Sequence, residues 1–163
     1  MSLPTPAGEG LIRHELGPAV EALTRVARIL ERASGELSLS HYRVLTMVSA
    51  GNGRASRLAG RLALGKPAIS AAVDSLASRG LLVRSSSEPD RRATQLEITD
   101  QGRAVLAAAE SAMAGALSDL VGHASDPTHT LVALLDLSQA LDRRQAKREV
   151  RARQDLEAPG SRP

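Results

Sequence analysis

Between residues 54 and 99 the chain changes its apolar rhythm twice, and that change limits the folds open to it. Residues 54–62 place Leu58 and Leu62 on one helical face, and Ala63-Leu64-Gly65 makes a tight turn. A second helix opens at Lys66-Pro67, where the missing proline N–H costs nothing at a first helical position. Ile69, Val73 and Leu76 follow at spacings of four and three, and Gly80 stops the helix. Leu81-Leu82-Val83-Arg84 then reads as a strand, residues 85–90 as a polar turn containing Pro89, and residues 94–99 as the returning strand, with Leu96 and Ile98 on neighbouring faces. A helix–turn–helix followed by a two-stranded hairpin is a winged-helix arrangement. The expected class is mainly α with a small β-hairpin wing.

The flanks are helical. Residues 1–10 hold two Pro and two Gly and read as a loose start. In residues 11–31, Leu16, Val20, Leu23, Ala27 and Leu30 form an apolar seam with Glu21, Arg25, Arg28 and Glu31 off it, and Ser34-Gly35 ends the helix. A helix over residues 40–50 has Ser40 as its expected cap and Val44, Leu45 and Val48 inward. A long helix begins near Asp100 and passes Leu106, Met113, Leu117 and Leu120 to about Gly122. The last starts at Asp126-Pro127 and turns Leu131, Leu134, Leu135, Ser138 and Leu141 inward. The expected organisation is a disordered N-terminus over 1–10, a dimerisation helix over 11–34, a winged helix–turn–helix over 35–99, dimerisation helices over 100–142, and a basic, partly disordered tail over 143–163.

Composition excludes several functions. With no cysteine there is no disulfide, thiolate nucleophile, thiol switch or cysteine-held zinc. Tyr42 is the single aromatic residue, which removes an aromatic platform for stacking bases. His14, His41, His123 and His129 are scattered without ligand spacing, no glycine-rich phosphate loop is present, and Ser85-Ser86-Ser87 has no nearby base. No enzyme, cofactor or metal is expected. No unbroken run of about 18 apolar residues suggests a membrane span, and the N-terminus lacks the pattern of a signal peptide, so a cytoplasmic location is the default.

Charge points to a polyanion. Residues 54–92 hold eight basic and three acidic side chains, a net of +5, against +3 for the whole chain. The second helix of a helix–turn–helix lies in the major groove. Its outward residues here are Lys66, Pro67, Ser70, Ala71 and Asp74, of which Lys66 and Ser70 offer useful donors. Two amphipathic helices that merely pack would show the same pattern. The hairpin tip, Glu88-Pro89-Asp90-Arg91-Arg92, carries adjacent arginines suited to the minor groove, with Asp90 as an orienting partner or turn cap. A solvated charged loop is the plainer alternative. Arg54 and Arg84 flank the region as further phosphate contacts. The seams through Leu16, Val20, Leu23, Leu117, Leu131 and Leu135 exceed what a small domain needs and suit a second copy of the chain. The basic run over residues 143–153 reads as a solvated helix end rather than a phosphate grip.

The run Asp90-Arg91-Arg92-Ala93-Thr94-Gln95-Leu96-Glu97-Ile98-Thr99-Asp100-Gln101-Gly102 resembles the wing, returning strand and helix start of the MarR family of bacterial transcription regulators. Leu39-Ser40-His41-Tyr42-Arg43-Val44-Leu45 is similar to that family's second-helix opening. Leu76-Ala77-Ser78-Arg79-Gly80-Leu81-Leu82-Val83-Arg84 is similar to its recognition-helix exit. The resemblance implies an obligate homodimer on a pseudo-palindromic double-stranded DNA operator, and a small, often aromatic effector that weakens DNA binding. It makes Asp90 and Arg92 the wing pair. The sequence departs from the family at Ala71, where many relatives carry arginine, and at Glu97, where the strand is often basic. The expected function is a dimeric DNA-binding repressor; the alternative is a winged helix used as a protein-interaction module.

Overall fold

The computed structural model of the chain describes residues 9–53, 58, 62, 65–86 and 94–157. They fall into two compact units, Met1–Leu117 and Ser118–Pro163. The first holds α1 (Glu9–Ala33), α2 (Leu39–Ser49), α3 (Lys66–Ser78), β1 (Leu82–Ser86), β2 (Thr94–Ile98) and most of α4 (Asp100–Gly122). The second holds the end of α4 and α5 (Pro127–Glu157). The expected helix over residues 54–62 lies mostly outside the described residues. Its two described members, Leu58 and Leu62, are helical and buried.

One aliphatic core organises the first unit. Val44, Leu45 and Val48 of α2, Ile69, Val73 and Leu76 of α3, Leu81, Leu82 and Leu96 of the hairpin, and Leu106, Ala109 and Met113 of α4 are all buried in it. The helical sets recur at spacings of three or four, as one face of a helix requires. α4 is long and apolar enough, by length and composition, to cross a bilayer, although the sequence shows no unbroken apolar run. Within this fold its buried stripe, Leu106, Ala109 and Met113, packs into the core.

Local chemistry adjusts several expected boundaries. The cap of α2 is Ser38, not Ser40: the Ser38 hydroxyl accepts the His41 N–H at 3.2 Å, while the Ser40 hydroxyl bonds to that of Ser38 at 2.9 Å. The helix therefore starts at Leu39, two residues earlier than a Ser40 cap allows. Leu96 and Ile98 do not face apart. They stand two positions apart, so both turn to the core side, Leu96 buried and Ile98 partly so. At the C-terminus, the basic run expected as a helix end continues α5 without a break through Glu157.

The hairpin pairs antiparallel, with Leu82 opposite Ile98, Arg84 opposite Leu96 and Ser86 opposite Thr94. Two glycines let backbone segments meet around it. A Cβ at Gly53 would collide with the Leu96 carbonyl, and the Gly53 carbonyl accepts the Leu96 N–H at 2.8 Å. A Cβ at Gly102 would collide with the Leu81 carbonyl, which seats the first turn of α4 against the residues leaving α3. Thr99 fixes the same corner: its N–H donates to Leu81 O (3.2 Å), its hydroxyl donates to Gly80 O (2.7 Å) and accepts the Gly102 N–H (2.9 Å).

Not every apolar seam lies inward in the single chain. On α1, Leu30 and Ala33 pack against the core, whereas Leu16, Val20 and Leu23 are 53%, 58% and 48% exposed. On α5, Leu131, Leu135 and Leu141 are 44%, 63% and 57% exposed, Ser138 is exposed and Leu134 is half-buried. Leu117 of α4 is half-buried. The spacing reads these faces correctly as apolar but the chain alone does not cover them.

Candidate nucleic-acid interface

α3 is a helix with one sealed face and one open face. Ile69, Ala72, Val73 and Leu76 are buried, and between them Pro67, Ala68, Ser70, Ala71 and Asp74 face solvent. The helix starts at Gly65, whose extended backbone (φ −61°, ψ 148°) leads into Lys66 and Pro67 without a side-chain cap. Of the expected recognition residues, Pro67, Ser70 and Ala71 are thus brought together on the open face, and Lys66 occupies its first position. Asp90, Arg91, Arg92 and Arg54 lie outside the described residues.

Arg84 does not stand free beside the helix. Strand parity puts it on the same face of the hairpin as Leu82, Leu96 and Ile98, the face that packs toward α3. From there its Nη2 donates to the Asp74 carboxylate, with the two side chains 50% and 62% exposed. The expected phosphate contact is therefore half of an ion pair that ties the wing root to the open face of α3. Sequence reasoning placed both residues at the interface but missed the pairing, which strand parity and the helical position of Asp74 together could have supplied.

Other arginines in the region are structural. Arg79, at the C-cap of α3, reaches back to the α1–α2 turn, donating to Glu36 O and to the Glu36 carboxylate, each at 3.2 Å. Arg43 of α2 donates to Leu62 O at 3.0 Å, and Arg103 of α4 donates to Ile98 O at 3.0 Å while pairing with Asp100. Of the cations counted over residues 54–92, Arg79 and Arg84 are thus already held in surface ion pairs. Ser85 donates to Glu97 across the outer face of the hairpin at 2.7 Å. Partial burial, reinforced by the nearby Arg79 charge, lowers the pKa of His41 below its ordinary 6.5. No group of three or more potential metal ligands occurs among the described residues.

Residues 36–93 match the model of the MarR family. No curated protein matches the chain in sequence. Among solved structures, the chain is similar to the transcriptional repressor CouR bound to a 23-mer DNA duplex, at 28% identity over 86% of this chain and 99% of that one, with a TM-score of 0.69. It is similar in fold to the transcriptional regulator BldR from Sulfolobus solfataricus (24% identity, 84% of this chain and 99% of that one, TM-score 0.66). It is also similar in fold to MarR in its apo form from Escherichia coli (17% identity, 85% and 98%, TM-score 0.62). The α3 surface, the two-stranded hairpin and the matched segment agree: the chain has a winged helix–turn–helix fold, and its residues 36–93 are similar to the MarR family of transcriptional regulators.

Proposed function

We propose that the chain acts as a homodimer that binds a pseudo-palindromic duplex operator, represses transcription there, and is released by a small-molecule effector. The observation that carries this reading is the open face of α3. A helix sealed on Ile69, Ala72, Val73 and Leu76 presents Pro67, Ser70 and Ala71 beside a hairpin, as a helix entering a major groove must. Lys66 and Ser70 supply donors, and Arg54, Arg91 and Arg92 supply phosphate or minor-groove contacts with Asp90 orienting the wing. The likeness to a repressor bound to duplex DNA supports the same assignment.

Dimerisation has its own support in the uncovered seams. Leu16, Val20 and Leu23 on α1, and Leu131 and Leu135 on α5, are apolar side chains that a second copy would remove from water. Two copies related by a two-fold axis set two α3 helices on successive half-sites. Effector release then follows from population shift: a ligand that prefers the dimer with mismatched helix spacing empties the DNA-bound form in proportion to that preference.

Fluorescence anisotropy on a duplex from upstream of the chain's own gene, with scrambled duplex as competitor, tests the reading. Tight, salt-dependent binding that scrambled DNA does not compete is expected, and sedimentation should give a dimer that Leu135→Glu splits. Equal weak binding to both duplexes would remove sequence-specific regulation. No binding at low salt would favour a protein-interaction module.

A further inference from the structure

Five cations, Arg143, Arg144, Lys147, Arg148 and Arg151, recur on α5, and all five are exposed. At 3.6 residues per turn they fall within an arc of about 140°, in a stripe about 12 Å long. Asp142, and by the same spacing position 149, lie on the far side of the helix. Between residues 143 and 151 the one large apolar side chain, Val150, is exposed and stands about 20° outside the stripe.

A basic helix end is ordinarily explained by the negative pole of the helix dipole, whose effect fades beyond the last turn. That explanation does not reach these residues, because α5 continues to Glu157 and the stripe ends more than a turn earlier. Nor are the charges internally matched. Arg143–Lys147, Arg144–Arg148 and Lys147–Arg151 are like-charge pairs at i,i+4, each of which disfavours the helix. Arg143 approaches Asp136 at 3.9 Å, and no described carboxylate lies within ion-pair distance of the other four. Four of these cations gather without a described carboxylate partner, along an open trough lined by all five and by Val150.

We propose that this face of α5 is a sequence-independent binding surface for the phosphates of duplex nucleic acid, separate from the recognition helix and the wing. Four of its five cations are arginines, whose forked donors match phosphate oxygens two at a time. A lining of five cations and a single large apolar side chain, Val150, fits a backbone of evenly spaced charges better than an apolar protein surface. Duplex DNA offers one negative charge per about 1.7 Å of axis, so the stripe spans several phosphates. This surface does not depend on α3 reading any base.

The test is anisotropy of the full chain and of Arg144→Gln/Lys147→Gln/Arg148→Gln on a random-sequence duplex and on an operator duplex. Glutamine keeps helix propensity, so far-ultraviolet circular dichroism should be unchanged. Three lost phosphate contacts lower the slope of log K against log salt by about 2.7 on both duplexes. Between about 50 and about 200 mM salt the variant then loses about 40-fold less affinity than the parent. Arg144→Lys/Arg148→Lys, which keeps the charge, should retain the parent slope. An unchanged slope in the glutamine variant overturns the proposal and leaves the stripe to an acidic protein partner. A change confined to the operator overturns its sequence independence. A parent chain that binds both duplexes alike, with the slope still falling in the variant, would defeat the operator-binding reading and leave this surface standing.

Discussion

Asp74→Asn is the substitution that most directly probes the α3 surface. Asp74 puts a carboxylate on the face proposed to meet DNA, and it holds the Arg84 guanidinium in an ion pair between half-exposed side chains. Such a pair contributes at most about 1 kcal/mol to folding, so the urea midpoint should move little. DNA binding should respond more. A carboxylate about 7 Å from a phosphate is repelled by about 0.6 kcal/mol in water, roughly a threefold loss of affinity. Removing it also releases Arg84, the root of the wing, to a phosphate of its own. One added phosphate contact steepens the slope of log K against log salt by about 0.9, an extra loss of about 3.5-fold between about 50 and about 200 mM. The variant should therefore bind random duplex several-fold more tightly at low salt, with a steeper slope and a smaller preference for the operator. Anisotropy on both duplexes over a salt series reads all three quantities. Weaker binding at an unchanged slope would refute the reasoning. It would mean that Asp74 favours DNA directly, for instance by accepting a cytosine amino group, or that the pair is needed to hold the wing.

Further substitutions test the fold and its titration. Leu76→Ala opens a cavity at a fully buried position of α3 and should cost about 2–5 kcal/mol in urea unfolding, with Arg79 and Glu36 left intact. Gly102→Ala should cost about 1–3 kcal/mol because the new methyl group meets the Leu81 carbonyl, whereas Gly115→Ala on the same helix meets nothing in the chain and should stabilise by about 0.5–1 kcal/mol. A result of the same sign for both would contradict the packing described at the start of α4. Because the folded chain lowers the His41 pKa, the unfolded chain takes up the proton first. Stability should hold above about pH 6.5 and decline as pH falls from there toward the lower folded value, and His41→Asn should flatten that decline in urea midpoints measured across the range.

Periodicity carried most of the architecture. Leu58, Leu62, Ile69, Val73 and Leu76 are buried where their spacing places them, and the hairpin lies where turn residues and alternation put it. What spacing does not carry is which apolar face a single chain covers. Leu23 and Leu30 belong to one seam of α1, yet Leu30 meets the core and Leu23 meets solvent, a distinction of place rather than of pattern. Competing caps were equally hard to read, since Ser38 and Ser40 are both competent and the hydrogen bond to His41 alone decides between them. The end of α5 was obscured because basic residues suit a helix terminus and a helix interior alike. Arg84 and Asp74 were both visible as surface charges, but their pairing arises only when the strand folds over the helix. The wing-tip residues Asp90, Arg91 and Arg92 and the flank residue Arg54 remain outside the described residues.

The corner at Gly80 and Leu81 sets how α3 can move. The Gly80 and Leu81 carbonyls, which close α3, receive the Thr99 hydroxyl and N–H from the residue that ends the wing and begins α4, while Gly102 presses on the second of them. α3, the hairpin root and α4 thus share one mechanical joint with no compliant spacer between them. A tilt imposed on α4 is delivered to α3 with little lost motion, as by a crank welded to its shaft. Amides at this joint should open to hydrogen exchange together rather than singly, because none of the three arms has slack of its own.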